Sequence, residues 1–222
     1  MQTFPTAAPI SALLDVPAGS IRLIAADRAD TTVEILPADA SKSRDTEAAK
    51  RIEVTFADGV LRLTDPEAES RSLRHPGTVE ITVQLPAGSR VEAKTASGEL
   101  RGVGRLGDVV FEGAQATVKV DEAASARLTL SAGDISVGRL GGDAEIRTQK
   151  GDIEVAEALG GTLTLRTEHG GITVGAAGGV SASLDAGTSY GRINNALRNA
   201  DGTAALTIHA TTSYGDITAR SL

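Results

Sequence analysis

Short runs in which apolar and polar residues alternate, each closed by a glycine, recur along the chain from Val91 to Leu222. The phrase Gly133-Asp134-Ile135-Ser136-Val137 returns as Gly151-Asp152-Ile153-Glu154-Val155 and as Gly170-Gly171-Ile172-Thr173-Val174. It returns again at Gly191-Arg192-Ile193 and Gly215-Asp216-Ile217-Thr218, so the glycines lie 18, 19, 21 and 24 residues apart. Period-2 alternation over so few residues predicts strands, and repetition at a near-fixed spacing predicts stacked units that share one core.

Ala93, Phe111, Leu128, Ile146, Leu165, Leu184 and Ile208 form one apolar row before the glycines; Leu100, Val118, Ile135, Ile153, Ile172, Ile193 and Ile217 form a second row after them. Each unit therefore offers two short strands that are unstable alone and must stack to bury their rows. Coils about 4.8 Å apart would set like residues over like. The outward row Lys94, Glu112, Thr129, Arg147, Arg166, Asp185, His209 reads as a solvated face, with Lys94–Glu112 and Arg166–Asp185 as expected cross-strand pairs. The predicted class is all-β: a β-solenoid, in the manner of a single-stranded β-helix, preceded by an N-terminal β-rich capping module.

The front of the chain alternates less regularly. Leu13–Val16, Ser20–Ile24, Thr32–Leu36, Arg51–Phe56, Val60–Leu63 and Val79–Leu85 are its candidate strands. Asp58-Gly59 between two of them predicts a tight hairpin. Ala38 to Lys50 is polar, with room for a turn or two of helix. Thr64 to Thr78, with Pro66, Pro76 and His75, reads as a long solvated loop. Leu14–Ser20 echoes Val83–Ser89 and suggests equivalent strand–turn–strand units. The expected organisation is a tail over 1–8, a β-rich module over 9–90 that closes the first end of the stack, and repeats over 91–222 continuous with it.

Composition narrows the class. Hydrophobic residues make up 41% of the chain and aromatic residues 2%, so the core must be layered from Val, Ile, Leu and Ala. A net charge of −7 without a basic stripe argues against nucleic acid as a partner. The chain has no Cys, which removes disulfides, thiolate metal sites and a cysteine nucleophile. No signal-peptide pattern opens it and no apolar run approaches the roughly 20 residues of a membrane span, so a cytoplasmic location is expected, with export left open.

The Gly-Asp-Ile phrase, the segment Val91-Glu92-Ala93-Lys94-Thr95-Ala96-Ser97-Gly98-Glu99-Leu100 and the closing Ser213-Tyr214-Gly215-Asp216-Ile217 resemble the bacterial β-strand-repeat family labelled "putative adhesin". That resemblance spans most of the chain and is strongest from about residue 79 onward. It implies a right-handed β-solenoid-like fold and a bacterial source. The family, a domain of unknown function, has no agreed catalytic or binding residues to carry over.

Candidate chemistry is sparse. Asp134, Asp152 and Asp216 sit where a calcium-binding β-roll would place oxygens, but Gly171 and Arg192 interrupt the row, which reads better as a set of turns. His75, His169 and His209 lack metal-ligand spacing, and the Gly-x-Gly-x-x-Gly match at Gly102–Gly107 has no βαβ context and reads as a glycine-rich turn. No catalytic, cofactor-binding or metal-binding residues are assigned, and no cofactor is expected. The asymmetry lies in Tyr190 and Tyr214, the only tyrosines, each in Ser-Tyr-Gly before a repeat glycine, with His169 and Lys150 at the same position in earlier repeats. These four residues are the candidate interaction surface.

The function expected is that of a non-enzymatic scaffold or protein-interaction module. The alternatives are a surface adhesin or glycan-binding module, and a β-helix enzyme acting on glycans. The expected partner is an unknown protein, or a second copy joined through an uncapped C-terminal coil.

Overall fold

The computed structural model describes residues 1–66, 77–199 and 202–222, so most of the loop expected over Thr64 to Thr78, His75 included, lies outside the described residues. Among the described residues there are 17 strands and one α-helix. The chain divides into two compact units, Met1–Ala116 and Thr117–Leu222.

The first unit contains β1 (Gln2–Pro5), β2 (Ser11–Asp15), β3 (Ala18–Ala26), β4 (Asp30–Pro37), α1 (Ser43–Arg51), β5 (Glu53–Ala57), β6 (Val60–Thr64), β7 (Val79–Pro86) and the first part of β8 (Arg90–Ala132). A straight strand of 43 residues would run about 140 Å. β8 instead turns corners, its residues 90–94 pairing with β2 and 97–103 with β3. Both pairings are parallel, as are β2 with β6 and β3 with β7. The stretch Gly102–Gly107, expected as a turn, belongs to β8.

The pair β2/β3, first in sequence among the parallel strands, thus forms a coil between β6/β7 and β8. Leu14 stacks between Leu63 and Ala93, and Ile21 between Ile81 and Leu100, all buried. The echo between Leu14–Ser20 and Val83–Ser89 does not mark equivalent positions. Val83–Pro86 runs beside Leu23–Ala26 of β3, so the two Pro-Ala-Gly turns lie at different corners of the coil.

Antiparallel strands flank this parallel stack: β4 on β7, β1 on β4, and β5 on β6. Phe4 of β1 and Phe56 of β5 bring their rings to 5.2 Å. Asp58 and Gly59, at φ 51° and 74°, make the expected β5–β6 hairpin. α1 runs for nine residues, longer than the turn or two expected. It is anchored by polar contacts at its two ends. The buried Asp45 carboxylate accepts the Thr78 N–H at 3.0 Å, and Arg51 pairs with buried Asp65 at 3.1 Å.

The second unit contains the rest of β8, then β9 (Ile135–Leu140), β10 (Ala144–Lys150), β11 (Ile153–Ala158), β12 (Gly161–His169), β13 (Ile172–Ala176), β14 (Ala182–Tyr190), β15 (Ile193–Ala196), β16 (Leu206–Tyr214) and β17 (Ile217–Ser221). Every strand pairing in it is parallel. One column stacks residues 126–132 of β8, β10, β12, β16 and β14 in that order. The other stacks residues 118–123 of β8, β9, β11, β13, β17 and β15.

The coils are therefore out of sequence order: the last pair, β16/β17, lies between β12/β13 and β14/β15. This corrects the expectation of an uncapped C-terminal coil. β16/β17 has a neighbour on both sides, and among the described residues the coil with no strand paired on its outer side is β14/β15, where the Arg198 carbonyl takes only the Ala182 N–H at the start of β14.

Register in the last two coils also departs from the expected row. Leu165 pairs with Ala210 and Ala210 with Ala186, while Leu184 pairs with Ile208 and Ile208 with Leu163. A slip of two residues keeps every side chain on its face, so alternation alone does not reveal it. For the same reason Arg166 faces Thr211 rather than Asp185, and Asp185 meets His209 at 3.3 Å.

Candidate functional site

The repeat glycine forms a corner where one column passes into the other. Gly151 has φ +146°, and a Cβ there would lie 2.1 Å from the Gly133 carbonyl oxygen; at Gly215, φ +152°, it would lie 2.0 Å from that of Gly170. Backbone approaches backbone too closely for any side chain. The glycine recurs because corners stack on corners.

Two further ladders bind successive corners. Asp134 Oδ1 accepts the Asp152 N–H at 2.8 Å, Asp152 Oδ1 the Gly171 N–H at 2.7 Å, and Asp216 Oδ1 the Arg192 N–H at 2.8 Å. The Asp row is thus committed to backbone capping from one coil to the next. Three residues before Gly151, Gly170, Gly191 and Gly215 a threonine hydroxyl donates to a glycine carbonyl of the adjoining coil. Thr148 reaches Gly133 at 3.2 Å, Thr167 reaches Gly151 at 3.0 Å, Thr212 reaches Gly170 at 3.0 Å and Thr188 reaches Gly215 at 3.1 Å. The sequence reading missed this row, although Thr-x-x-Gly at four successive corners was its visible signal.

The residue just before each glycine points outward. Register places Lys150 beside His169, His169 beside Tyr214, and Tyr214 beside Tyr190. All four candidate residues fall in one column, with Tyr214 between His169 and Tyr190. The His169 and Tyr214 rings stack at 5.0 Å and 8°, and the Tyr214 and Tyr190 rings at 4.9 Å and 4°. Ring spacing matches the distance between coils, so the backbone sets it. Tyr214 is 51% and Tyr190 67% exposed.

Because the rings cover each other's faces, the column shows ring edges and hydroxyls sideways. Tyr214 is covered on both faces, whereas Tyr190, on the outermost coil, has no ring stacked on its outer face among the described residues. Around the corner from it an open depression is lined by Arg192, Ile193, Asn194, Asp216 and Thr218. His209 lies on an exposed face against Asp185 and is not in the ring column. Among the described residues no group of three or more His, Asp or Glu could hold a metal, and no helix is long and apolar enough to cross a membrane.

Parallel coils, a glycine corner repeated in each, and capping ladders between them define a β-solenoid-like repeat protein. Residues 13–221 match the family model described as Toastrack DUF4097, and the chain belongs to that family. Among solved structures, it is similar to a "putative cell adhesion protein" from Clostridium sporogenes at 11% identity and TM-score 0.41, covering 100% of this chain and 98% of that one. A "putative adhesin" from Bacteroides fragilis gives 13% identity and TM-score 0.49, covering 98% and 95%. Another from Parabacteroides distasonis gives 12% and 0.39, covering 100% and 95%. No curated protein matches the chain.

Proposed function

We propose that the chain is a non-enzymatic β-repeat module that works by binding another protein, within the cytoplasm. The observation that supports this most is the exposed column Lys150–His169–Tyr214–Tyr190, held by ladders of backbone and threonine hydrogen bonds. Rings fixed at the spacing of the coils offer apolar area and hydroxyls at little entropic cost on binding. The test is capture of partners from native-host extract on the immobilised chain. Loss of a captured protein with the Tyr190→Ala/Tyr214→Ala variant is the expected result. Turnover on a polysaccharide panel, or capture indifferent to the rings, would contradict it.

A second reading, a surface adhesin or glycan-binding module, draws on the open face of Tyr190, since sugars stack on tyrosine faces. Cell fractionation separates the two. A cell-surface pool that binds a glycan array through Tyr190 favours the second reading, and a purely cytosolic pool favours the first.

A further inference from the structure

We infer that the open edge formed by β14 and β15 docks an extended strand of a partner protein that carries an acidic residue at the corner. The inference rests on the interaction-module reading and names the site and the chemistry of the partner.

Among the described residues the buried columns are incomplete at this edge beyond Ala182, whose N–H is taken by the Arg198 carbonyl. Ile135, Ile153, Ile172 and Ile217 are each at most 1% exposed, whereas Ile193, the next member of their column, is 47% exposed. Leu184, beside fully buried Ile208, is only partly covered.

Backbone donors point the same way. Gly133, Gly151, Gly170 and Gly215 donate their N–H groups to the carbonyls of Lys150, His169, Tyr214 and Tyr190, one coil further along, at 2.8–2.9 Å. Ile135, Ile153, Ile172 and Ile217 donate likewise to Asp152, Gly171, Asp216 and Arg192. Gly191 and Ile193 come next in these two series, so their N–H groups face out of the stack. A strand laid in register supplies both acceptors from alternate carbonyls, which is strand addition at a sheet edge.

Charge selects the strand. The corner column runs Asp134, Asp152, Gly171, Asp216 and then Arg192. The Arg192 side chain is 92% exposed, and its ion pair with Asp216 spans 4.0 Å. An acid in the next coil position would lie beside this guanidinium as a cross-strand pair. The same edge of a second copy brings Arg192, not an acid, to its own corner, so a different chain is the fitting occupant. The open face of Tyr190 adds a place for a ring two residues before the acid. The chain's own Tyr214-Gly215-Asp216 has this pattern and sits in this register one coil inward.

The probe is a labelled, end-blocked peptide of the Leu206–Ser221 sequence, titrated against the intact chain and its Arg192→Glu variant. Circular dichroism checks that the variant is folded. Saturable binding is expected, weakened at least tenfold by Arg192→Glu. A peptide carrying Asp216→Arg should bind the wild-type chain poorly and regain affinity for Arg192→Glu. Exchange of the Gly191 and Ile193 amides should slow at least tenfold when the peptide binds.

Equal binding by both chains, no binding, or slowed exchange elsewhere would overturn the proposal. So would protection of the same two amides by self-association without peptide, which would make a second copy the occupant. If the peptide fails while host capture persists and ignores Arg192, the edge site falls and the interaction-module reading stands. Loss of all capture removes that reading itself.

Discussion

Gly215 shows why the repeat is written as it is. Its φ of +152° and the 2.0 Å between a built Cβ and the Gly170 oxygen make alanine costly through both backbone strain and collision. Gly215→Ala should lower stability by about 3 kcal/mol in urea unfolding. Asp39 carries a different kind of local order. Its carboxyl is held down at about 2 by the Ser41 hydroxyl first, then by the Ser41 N–H and by Lys42. The folded value lies below the ordinary 3.8, so this contribution to stability is present above that pH and is lost as the pH falls through about 2. A carboxyl NMR titration should find the low midpoint, and Ser41→Ala should move it upward.

At the level of strands and corners, much of the second unit was legible from residues. Gly-Asp-Ile marked the passage from one column to the other, and the Ile row lies in the core as its alternation required, except for Ile193 on the edge coil. The first row could not be read correctly beyond Leu165, because Leu184 and Ile208 keep the right face after a slip of two residues. Counting back from the glycine, which is fixed sterically, gives Ala186 and Ala210 and the correct register. That Lys150, His169, Tyr190 and Tyr214 share one repeat position was legible, but their order in the column was not, since parallel pairing is indifferent to which coil comes next in the chain. Tyr214 between two rings should therefore couple to both neighbours. A double-mutant cycle of Tyr190→Ala and Tyr214→Ala should give a coupling of about 0.5–1 kcal/mol in stability, with a similar value for His169→Ala and Tyr214→Ala.

In each unit the parallel strand pair nearest the chain terminus is threaded into the interior of the unit's own stack. β2/β3 lies between β6/β7 and β8, and β16/β17 lies between β12/β13 and β14/β15. A sequence read from left to right suggests the opposite, that its ends are the ends of the stack. Threading determines what the second unit leaves open: β14/β15, with Tyr190, Arg192 and Ile193, rather than the C-terminal pair. The proposed binding face depends on that order.

The chain has no native cysteine, so engineered disulfides report the order without background. Thr164 and His209 are register partners on adjacent strands, and His209 and Asp185 are partners on the next. Cα atoms of directly paired residues lie about 4.8 Å apart, within disulfide range, and those two strands apart about 9.6 Å, beyond it. Thr164→Cys/His209→Cys should oxidise to an intramolecular disulfide in the folded chain, and Thr164→Cys/Asp185→Cys should stay reduced. Ready closure of the 164–185 pair with failure of the 164–209 pair would place the coils in sequence order and contradict the account.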